Sequence, residues 1–136
     1  MSAAWPLQKS VYAALAAAPV LQTYLGAPAR VFDEPPEDAA FPFLLVGEAS
    51  ERDIAATGGE TSEHIFLLHV WSRGGGRKEA KLILAAAHAV LHDQMLAVEG
   101  HRLVNLRCAE SSVVREDDGE TYHGLARFRA VTEPET

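Results

Sequence analysis

The stretch His69-Val70-Trp71-Ser72-Arg73-Gly74-Gly75-Gly76-Arg77-Lys78-Glu79-Ala80 joins an apolar segment to a helical pattern through three consecutive glycines. Residues 65–71 are rich in β-branched and aromatic side chains and too few for a globular helix, so they predict a largely buried strand. Apolar residues then recur at helical spacing, which predicts a helix over residues 77–93. The buried stripe of this helix is expected to contain Ile83, Leu84, Ala87, Val90 and Leu91.

The segments on either side of this junction predict one further helix and several strands. Pro6 followed by apolar residues at spacings of three and four predicts an amphipathic helix over 7–18, and a short helical turn at 19–25 leads into a brief strand at 30–32. Residues 41–49 predict a strand with Leu44, Val46 and Glu48 on one face. We therefore expect a single α+β domain over residues 1–136, with an antiparallel or mixed sheet of about four main strands and an N-terminal helix and one long helix packed on one face.

The last third of the chain predicts a hairpin. Residues 101–114 and 120–132 read as strands, and Asp118-Gly119 between them supplies the positive backbone torsion of a tight turn. One side of the second strand is apolar and the other is basic and mixed. The apolar side holds Tyr122, Gly124, Ala126, Phe128 and Ala130, and the mixed side holds His123, Leu125, Arg127, Arg129 and Val131.

Two segments are expected to lie outside the regular elements. Residues 50–62 are polar, carry Gly58-Gly59 and lack an apolar period, which predicts an exposed, mobile connection. Residues 133–136 are expected to be a frayed tail.

Composition excludes several classes of protein. The net charge of -7 over 136 residues opposes general nucleic-acid binding, although arginines in the last third could gather on one face, either for local nucleic-acid contact or as solvated or subunit-pairing groups. A single cysteine and the lack of a basic segment before an apolar core do not indicate secretion, so folding in a reducing cytoplasm fits best. The alanine-rich run at 12–20 is too short to cross a bilayer, and we expect no membrane span.

The glycine turn does not match a phosphate-binding loop. That motif ends in Gly-Lys-Ser/Thr, whereas Glu79, Ala80 and Lys81 follow Lys78 and supply no hydroxyl for magnesium. An anion could still bind at the helix N-terminus with help from Arg73 and Arg77, but a flexible connection between strand and helix is the favoured interpretation.

No other catalytic or metal-binding set is recognisable. His88 and His92 share a helical face, yet Ala89 stands where a helical zinc protease carries its general-base Glu, and Cys108, His101 or His123 would complete a site only through tertiary contact. Ser111 and Ser112 lack the glycines of a nucleophile elbow, and a packing role suits Cys108 better than a reactive thiol. We expect no enzyme, no cofactor and no metal.

Several local sequences resemble one known family. These are Val11-Tyr12-Ala13-Ala14-Leu15, Ala40-Phe41-Pro42-Phe43-Leu44-Leu45-Val46-Gly47, the junction from Leu68 to Ala80, Gly100-His101-Arg102-Leu103-Val104 and Tyr122-His123-Gly124-Leu125-Ala126-Arg127-Phe128-Arg129-Ala130. Together they resemble the small tail-completion proteins of long-tailed bacteriophages, prophages and gene transfer agents. The similarity spans roughly residues 5–132.

The resemblance implies a tail terminator, a structural virion protein that forms a ring, typically a hexamer, on the head-proximal end of the tail tube. It would stop tube polymerisation and help to join tail to head after assembly in the bacterial cytoplasm. The implied partners are other copies of the chain, the major tail tube protein and a head–tail connector or stopper protein, with DNA passing through the lumen without sequence-specific binding. The alternatives are a head-completion or connector subunit and, from another class, a small α+β ligand-binding protein or hydrolase.

Exposure indicated by composition, together with the placement of charge, suggests where the subunits of such a ring would meet. Trp71 is either a core aromatic or an interface anchor, since Trp is enriched at binding hot spots. We expect the glycine turn and the 50–62 connection to contact adjacent subunits or neighbouring rings, and the hairpin arginines to face a partner or the lumen. The candidate interface residues are Trp71, Arg73, Gly74, Gly75, Gly76, Arg77, Gly58, Gly59, Arg127 and Arg129.

Overall fold

The computed structural model describes residues 1–55 and 59–135. The helices are α1 (Ala4–Ala17), α2 (Pro19–Leu25) and α3 (Lys78–Leu91), and the strands are β1 (Val31–Phe32), β2 (Phe43–Asp53), β3 (Ser62–Ser72), β4 (His101–Arg115) and β5 (Tyr122–Pro134). The strands form one sheet in the order β1-β2-β3-β5-β4, in which β1 pairs with β2 in parallel and every other pair is antiparallel. The predicted α+β class is confirmed, with four main strands and the brief β1.

Strand β3 is the centre of the sheet and shows its two faces most clearly. Side chains alternate between half-buried and buried from Glu63 to Ser72. Phe66, Leu68 and Val70 belong to the core on the face covered by the helices. Ile65, Leu67, His69 and Trp71 are half-buried on the opposite face, which we call the open face.

The helices bury apolar stripes against the other face. In α1 the buried residues are Leu7, Val11 and Leu15. In α3 they include Ile83 and Leu84, while Val90 packs only partly against the core. Beneath α3, the rings of Phe66 and Phe128 stack at 5.3 Å between centroids. The expected helical stripes are therefore confirmed in their main members.

The predicted hairpin is β4 and β5. Gly119 has a φ of 73°, and Asp118 accepts hydrogen bonds from the backbone amides of Glu120 and Thr121 and from the Thr121 hydroxyl. These three bonds lower the pKa of the Asp118 carboxyl to about 2, with the Thr121 hydroxyl contributing most. In β5, Gly124, Ala126, Phe128 and Ala130 are buried on the helix side, as the alternation predicts.

Two predicted boundaries were wrong. Residues 50–53, assigned to the long connection, continue β2 and pair with residues 62–65 of β3. Residues 133 and 134, assigned to the tail, pair with Arg102 and His101 of β4. Residues 50–53 are exposed and residues 133 and 134 are a half-buried Glu-Pro pair, so neither segment shows the apolar alternation that reveals a strand. The connection between β2 and β3 is thus residues 54–61, of which Gly58 lies outside the described residues.

Candidate functional site

The glycine turn is organised by the chain's own groups. The Ser72 hydroxyl donates to Glu79 Oε1 at 2.6 Å, and the Gly74 amide donates to Ser72 Oγ at 3.3 Å. A Cβ atom on Gly74 would lie 3.0 Å from the Glu79 carboxylate, and Gly75 has a φ of 85°. A carboxylate therefore reaches back from the first turn of α3 into the glycine turn, which favours a structural connection over an anion site.

Two arginines tie this turn to the hairpin. Arg73 Nε donates to Thr121 Oγ1 at 3.0 Å, and its guanidinium carbon lies 4.1 Å from the centroid of the Phe41 ring. The Arg77 guanidinium lies 5.6 Å from the Tyr122 ring centroid. Both guanidinium groups thus pack on aromatic faces and help to hold the segment before β2, the glycine turn and the start of β5 together.

A chain of hydrogen-bonding groups crosses the open face beside Trp71. The indole stacks on the His123 imidazole with 4.0 Å between centroids and 4° between planes. His123 Nε2 lies 2.7 Å from His69 Nδ1, and His69 Nε2 lies 2.6 Å from Glu48 Oε1. At the other end, His123 Nδ1 lies 3.5 Å from Glu116 Oε1. Trp71 is half-buried, and its indole covers one side of the His123 ring.

The partners assign the protons along this chain. Glu48 can only accept, so His69 Nε2 carries the donated hydrogen, and His69 Nδ1 is then free to accept from His123 Nε2. Burial, and then the neighbouring His69, lower the pKa of His123. A hydrogen bond from its own backbone amide, and then the one from His69, lower the pKa of Glu48. Two imidazoles therefore lie in line between the carboxylates of Glu48 and Glu116.

The two hairpin arginines lie in different surroundings. Arg129 Nε donates to Glu63 at 2.6 Å, and Arg52 binds the other oxygen of the same carboxylate at 2.7 Å. These arginines lower the pKa of Glu63, Arg129 more than Arg52. Arg127 is exposed on the open face and has no ion-pair partner among the described residues. Arg127 is therefore the one of the two whose charge is available to a partner.

The predicted interface residues do not form one cluster. Trp71, Arg73 and the glycines lie at the C-terminal end of β3, whereas Gly59 lies before its N-terminal end. Nine strand residues, 62–70, lie between the two groups, about 30 Å at 3.3 Å per residue. Arg127 and Arg129 lie between these ends, opposite Leu67 and Ile65.

The amino-acid sequence does not predict the contact between His69 and His123. His123 and Trp71 are directly opposite each other in the β3–β5 pairing, which brings His69 and His123 onto one face. The expectation that Glu48 would share a face with Leu44 was wrong, because the register shifts between Val46 and Ala49 and carries the carboxylate to His69. The sequence predicts the alternation of apolar and polar side chains within each strand. It does not predict the register between strands or the position of the bulge.

The other chemical candidates have structural roles. His88 and His92 stack at 4.3 Å, and His92 Nδ1 accepts from the Cys108 amide at 2.9 Å. Burial raises the pKa of the Cys108 thiol. Across residues 1–55 and 59–135, no group of three or more potential ligands is placed to hold a metal. Within the same residues, the helices are all too short or too polar to span a bilayer.

Known proteins resemble this chain along most of its length. Residues 9–133 match the sequence model of the family described as tail completion protein gp17. The tail completion protein gp17 of Bacillus phage SPP1 is 29% identical over 101 residues, which cover 74% of each chain. A chain in the structure of the virion of a native gene transfer agent particle is 28% identical, with a TM-score of 0.89 over 97% of this chain and 98% of that one. This protein therefore belongs to the tail completion protein gp17 family.

Proposed function

We propose that this protein is a tail terminator, which closes into a ring of six copies on the head-proximal end of the tail tube. The ring stops tube polymerisation and presents the surface to which the head is joined. The observation that carries the proposal is the fold match to a chain of a gene transfer agent virion over 97% of this chain. The protein's role is structural and not enzymatic, in keeping with its family of virion proteins.

A closed ring needs two different surfaces on each subunit, because its contacts are heterologous. The sheet supplies two unlike edges, β1 with the exposed half of β2 on one side and β4 on the other. The glycine turn and the 54–61 connection lie at opposite ends of β3, so they contact different neighbours, either adjacent subunits or neighbouring rings. On the open face, Arg127 is directed to a partner or to the lumen through which DNA passes without sequence-specific binding.

The test uses purified protein and tail tubes assembled from the matching tube protein. We expect the protein to bind one end of each tube and to stop further growth when more tube protein is added. The tube protein alone is the control and should continue to elongate. A protein that stays monomeric at every concentration and does not bind tube ends contradicts the proposal. Capture of a head connector without any effect on tubes would favour a connector subunit.

A further inference from the structure

Among the described residues, long stretches of β2 and β4 have no partner strand on their outer sides. Strand β1 covers β2 only at Leu44 and Leu45, so no described strand pairs with the outer side of β2 at residues 47–53. At the opposite border of the sheet, the turn after α3 covers β4 through the Asp93 amide on the Leu106 carbonyl and His92 Nδ1 on the Cys108 amide. Residues 109–115 continue β4 beyond that cover. We call residues 47–53 the β2 free edge and residues 109–115 the β4 free edge.

The middle of the β4 free edge, residues 111–114, carries none of the usual protection against pairing, which is confined to its ends at Glu110, Arg115 and the bulge beside Cys108. Isolated edges are normally blunted by charge, proline, bulges or a covering segment. The run Ser111-Ser112-Val113-Val114 has no charge and no proline, and its pairing with β5 is regular from Glu110 to Arg115. Val114 is 52% exposed. Such an edge is suited to a partner strand.

We propose that the β2 free edge of one subunit pairs antiparallel with the β4 free edge of the next, so that the sheets of neighbouring copies are continuous around the ring. The inference rests on the proposed ring and names the contact that builds it. β2 runs antiparallel to β3, β3 to β5 and β5 to β4. A neighbour added in the same orientation therefore presents its β2 antiparallel to β4.

Full overlap of the two edges fixes a register. Each edge is seven residues long, and aligning them end to end places Ser50 opposite Ser112. Both residues are on the open face, because Ser50 pairs with Ile65 and Ser112 with Leu125. Directly opposite residues of an antiparallel pair point to the same side, so the helix faces of neighbours also match.

Charge supports the same register. Two residues along from the Ser50–Ser112 pair, Arg52 comes to lie opposite Glu110, and both are exposed on the open face. Opposite charges at directly opposed positions stabilise a pair of strands, whereas like charges destabilise it. Moving the register by two residues in either direction shortens the overlap and separates these charges.

The register also provides the stagger that a closed sheet requires. Within one subunit, Ser50 pairs with Ile65 of β3, which in turn pairs with Arg129 of β5. Ser112 pairs with Leu125 of the same strand β5. The four-residue difference is about 13 Å along the strands, against about 19 Å for the four strands that one subunit adds to the continuous sheet, because the neighbour's β4 pairs with β2 itself and not with β1. Each subunit step therefore tilts the strands by about 35° from the ring axis, at the lower end of the range of about 35–45° found in closed barrels.

Cysteine pairs test this contact. In a Cys108→Ser background, Ser50→Cys and Ser112→Cys are made separately, mixed and oxidised with diamide, free in solution and bound to tail tubes. We expect a disulfide-linked dimer only in the mixture, because neither position meets its own copy in a head-to-tail ring. The variant carrying both cysteines should give a ladder of linked subunits. Thr23→Cys, on an exposed face of α2, is the matched control and should link to neither.

A charge change adds a second readout. Glu110→Arg places an arginine opposite Arg52 of the neighbour, and also opposite Arg127 of its own β5, so its unfolding in urea is measured first to show that the subunit remains folded. The change should lower the yield of the mixed dimer about two- to five-fold. Glu120→Arg makes the same change in the turn before β5 and should leave the yield unchanged. Because both residues are exposed, neither variant disturbs the core.

The outcomes separate the contact from the proposed function. Tube binding without a mixed dimer, or Ser112→Cys dimers formed with themselves, would overturn the edge pairing and leave the terminator role intact. Mixed dimers and ladders in protein that does not bind tubes would support the edge pairing and contradict the terminator role. Equal yields for Glu110→Arg and Glu120→Arg would contradict the register.

Discussion

Replacing Gly47 by Ala perturbs the histidine chain of the open face at one point. A Cβ atom at Gly47 would lie 2.7 Å from Cδ2 and 2.8 Å from Nε2 of His69, closer than non-bonded carbon and nitrogen atoms approach. The imidazole cannot move away freely, because Glu48 and His123 hold its two nitrogens at 2.6 and 2.7 Å. Its side chain is only 12% exposed. The added methyl group must therefore displace the ring from at least one partner.

The cost follows from these contacts. Overpacking a filled site costs about 1–3 kcal/mol, and each hydrogen bond lost contributes about 0.5–1.5 kcal/mol. Because the displaced ring relieves the overlap, the two costs are not additive, and we expect Gly47→Ala to lower the free energy of unfolding by about 2–3 kcal/mol. Gly76→Ala is the matched control, since a Cβ there would meet no atom within 4 Å and the φ of Gly76 is not positive. It should change stability by less than about 0.5 kcal/mol.

Urea unfolding of both variants, with imidazole NMR signals as the local probe, measures the difference. The Gly47→Ala midpoint should fall at an unchanged slope, and the His69 and His123 signals should shift while those of His88 stay in place. If Gly47→Ala is as stable as Gly76→Ala and leaves the His69 signals unchanged, the close approach of His69 to the backbone of β2 is contradicted.

Three further perturbations probe the core, the buried histidine and the hairpin turn. Phe128→Ala should cost about 3–5 kcal/mol in urea unfolding because the ring is fully buried, whereas Trp5→Ala, at 62% exposure, should cost less than about 1 kcal/mol; equal losses would contradict the assigned core. Burial lowers the pKa of His64, whose imidazole is hydrogen-bonded to Thr132. The unfolded chain therefore binds a proton first, and the free energy of unfolding should fall as pH falls below about 6.5. His64→Gln should reduce the slope of that pH dependence by up to about 1.4 kcal/mol per pH unit, and an unchanged slope would refute the assignment. The pKa of Asp118 is lowered to about 2 from a usual 3.8, so its contribution to the free energy of unfolding is present above pH 4 and is lost as pH falls towards 2. Asp118→Asn should therefore weaken the dependence of stability on pH over that range. A pH dependence like that of the wild type would count against the turn geometry.

The fold was largely predictable because its elements carry strong local signals. The period of α3, the alternation in β3 and the Asp118-Gly119 turn each identify an element without reference to any other. The predicted ends of β2 and β5 were wrong because the residues there lack such local signals. Residues 50–53 are exposed, so nothing in their composition distinguishes a solvated strand end from a loop, although they pair with β3.

The candidate site was less predictable because it depends on the register between strands. Arg127 and Arg129 were correctly assigned to one face of β5, but only the pairing with β3 places Arg129 beside Glu63 and leaves Arg127 without an ion pair among the described residues. The chain from Glu48 to Glu116 requires a bulge in β2 and contacts among three strands and a turn. The sequence identifies each of these residues, but it does not predict that the register between strands brings them together.

Electron microscopy of particles assembled without this protein tests the terminator role most directly. Such particles should have tails longer than those of the wild type, with variable lengths and no attached heads, and normal tails should return when the protein is restored. Tails of normal length that are firmly joined to heads in its absence would contradict the terminator role.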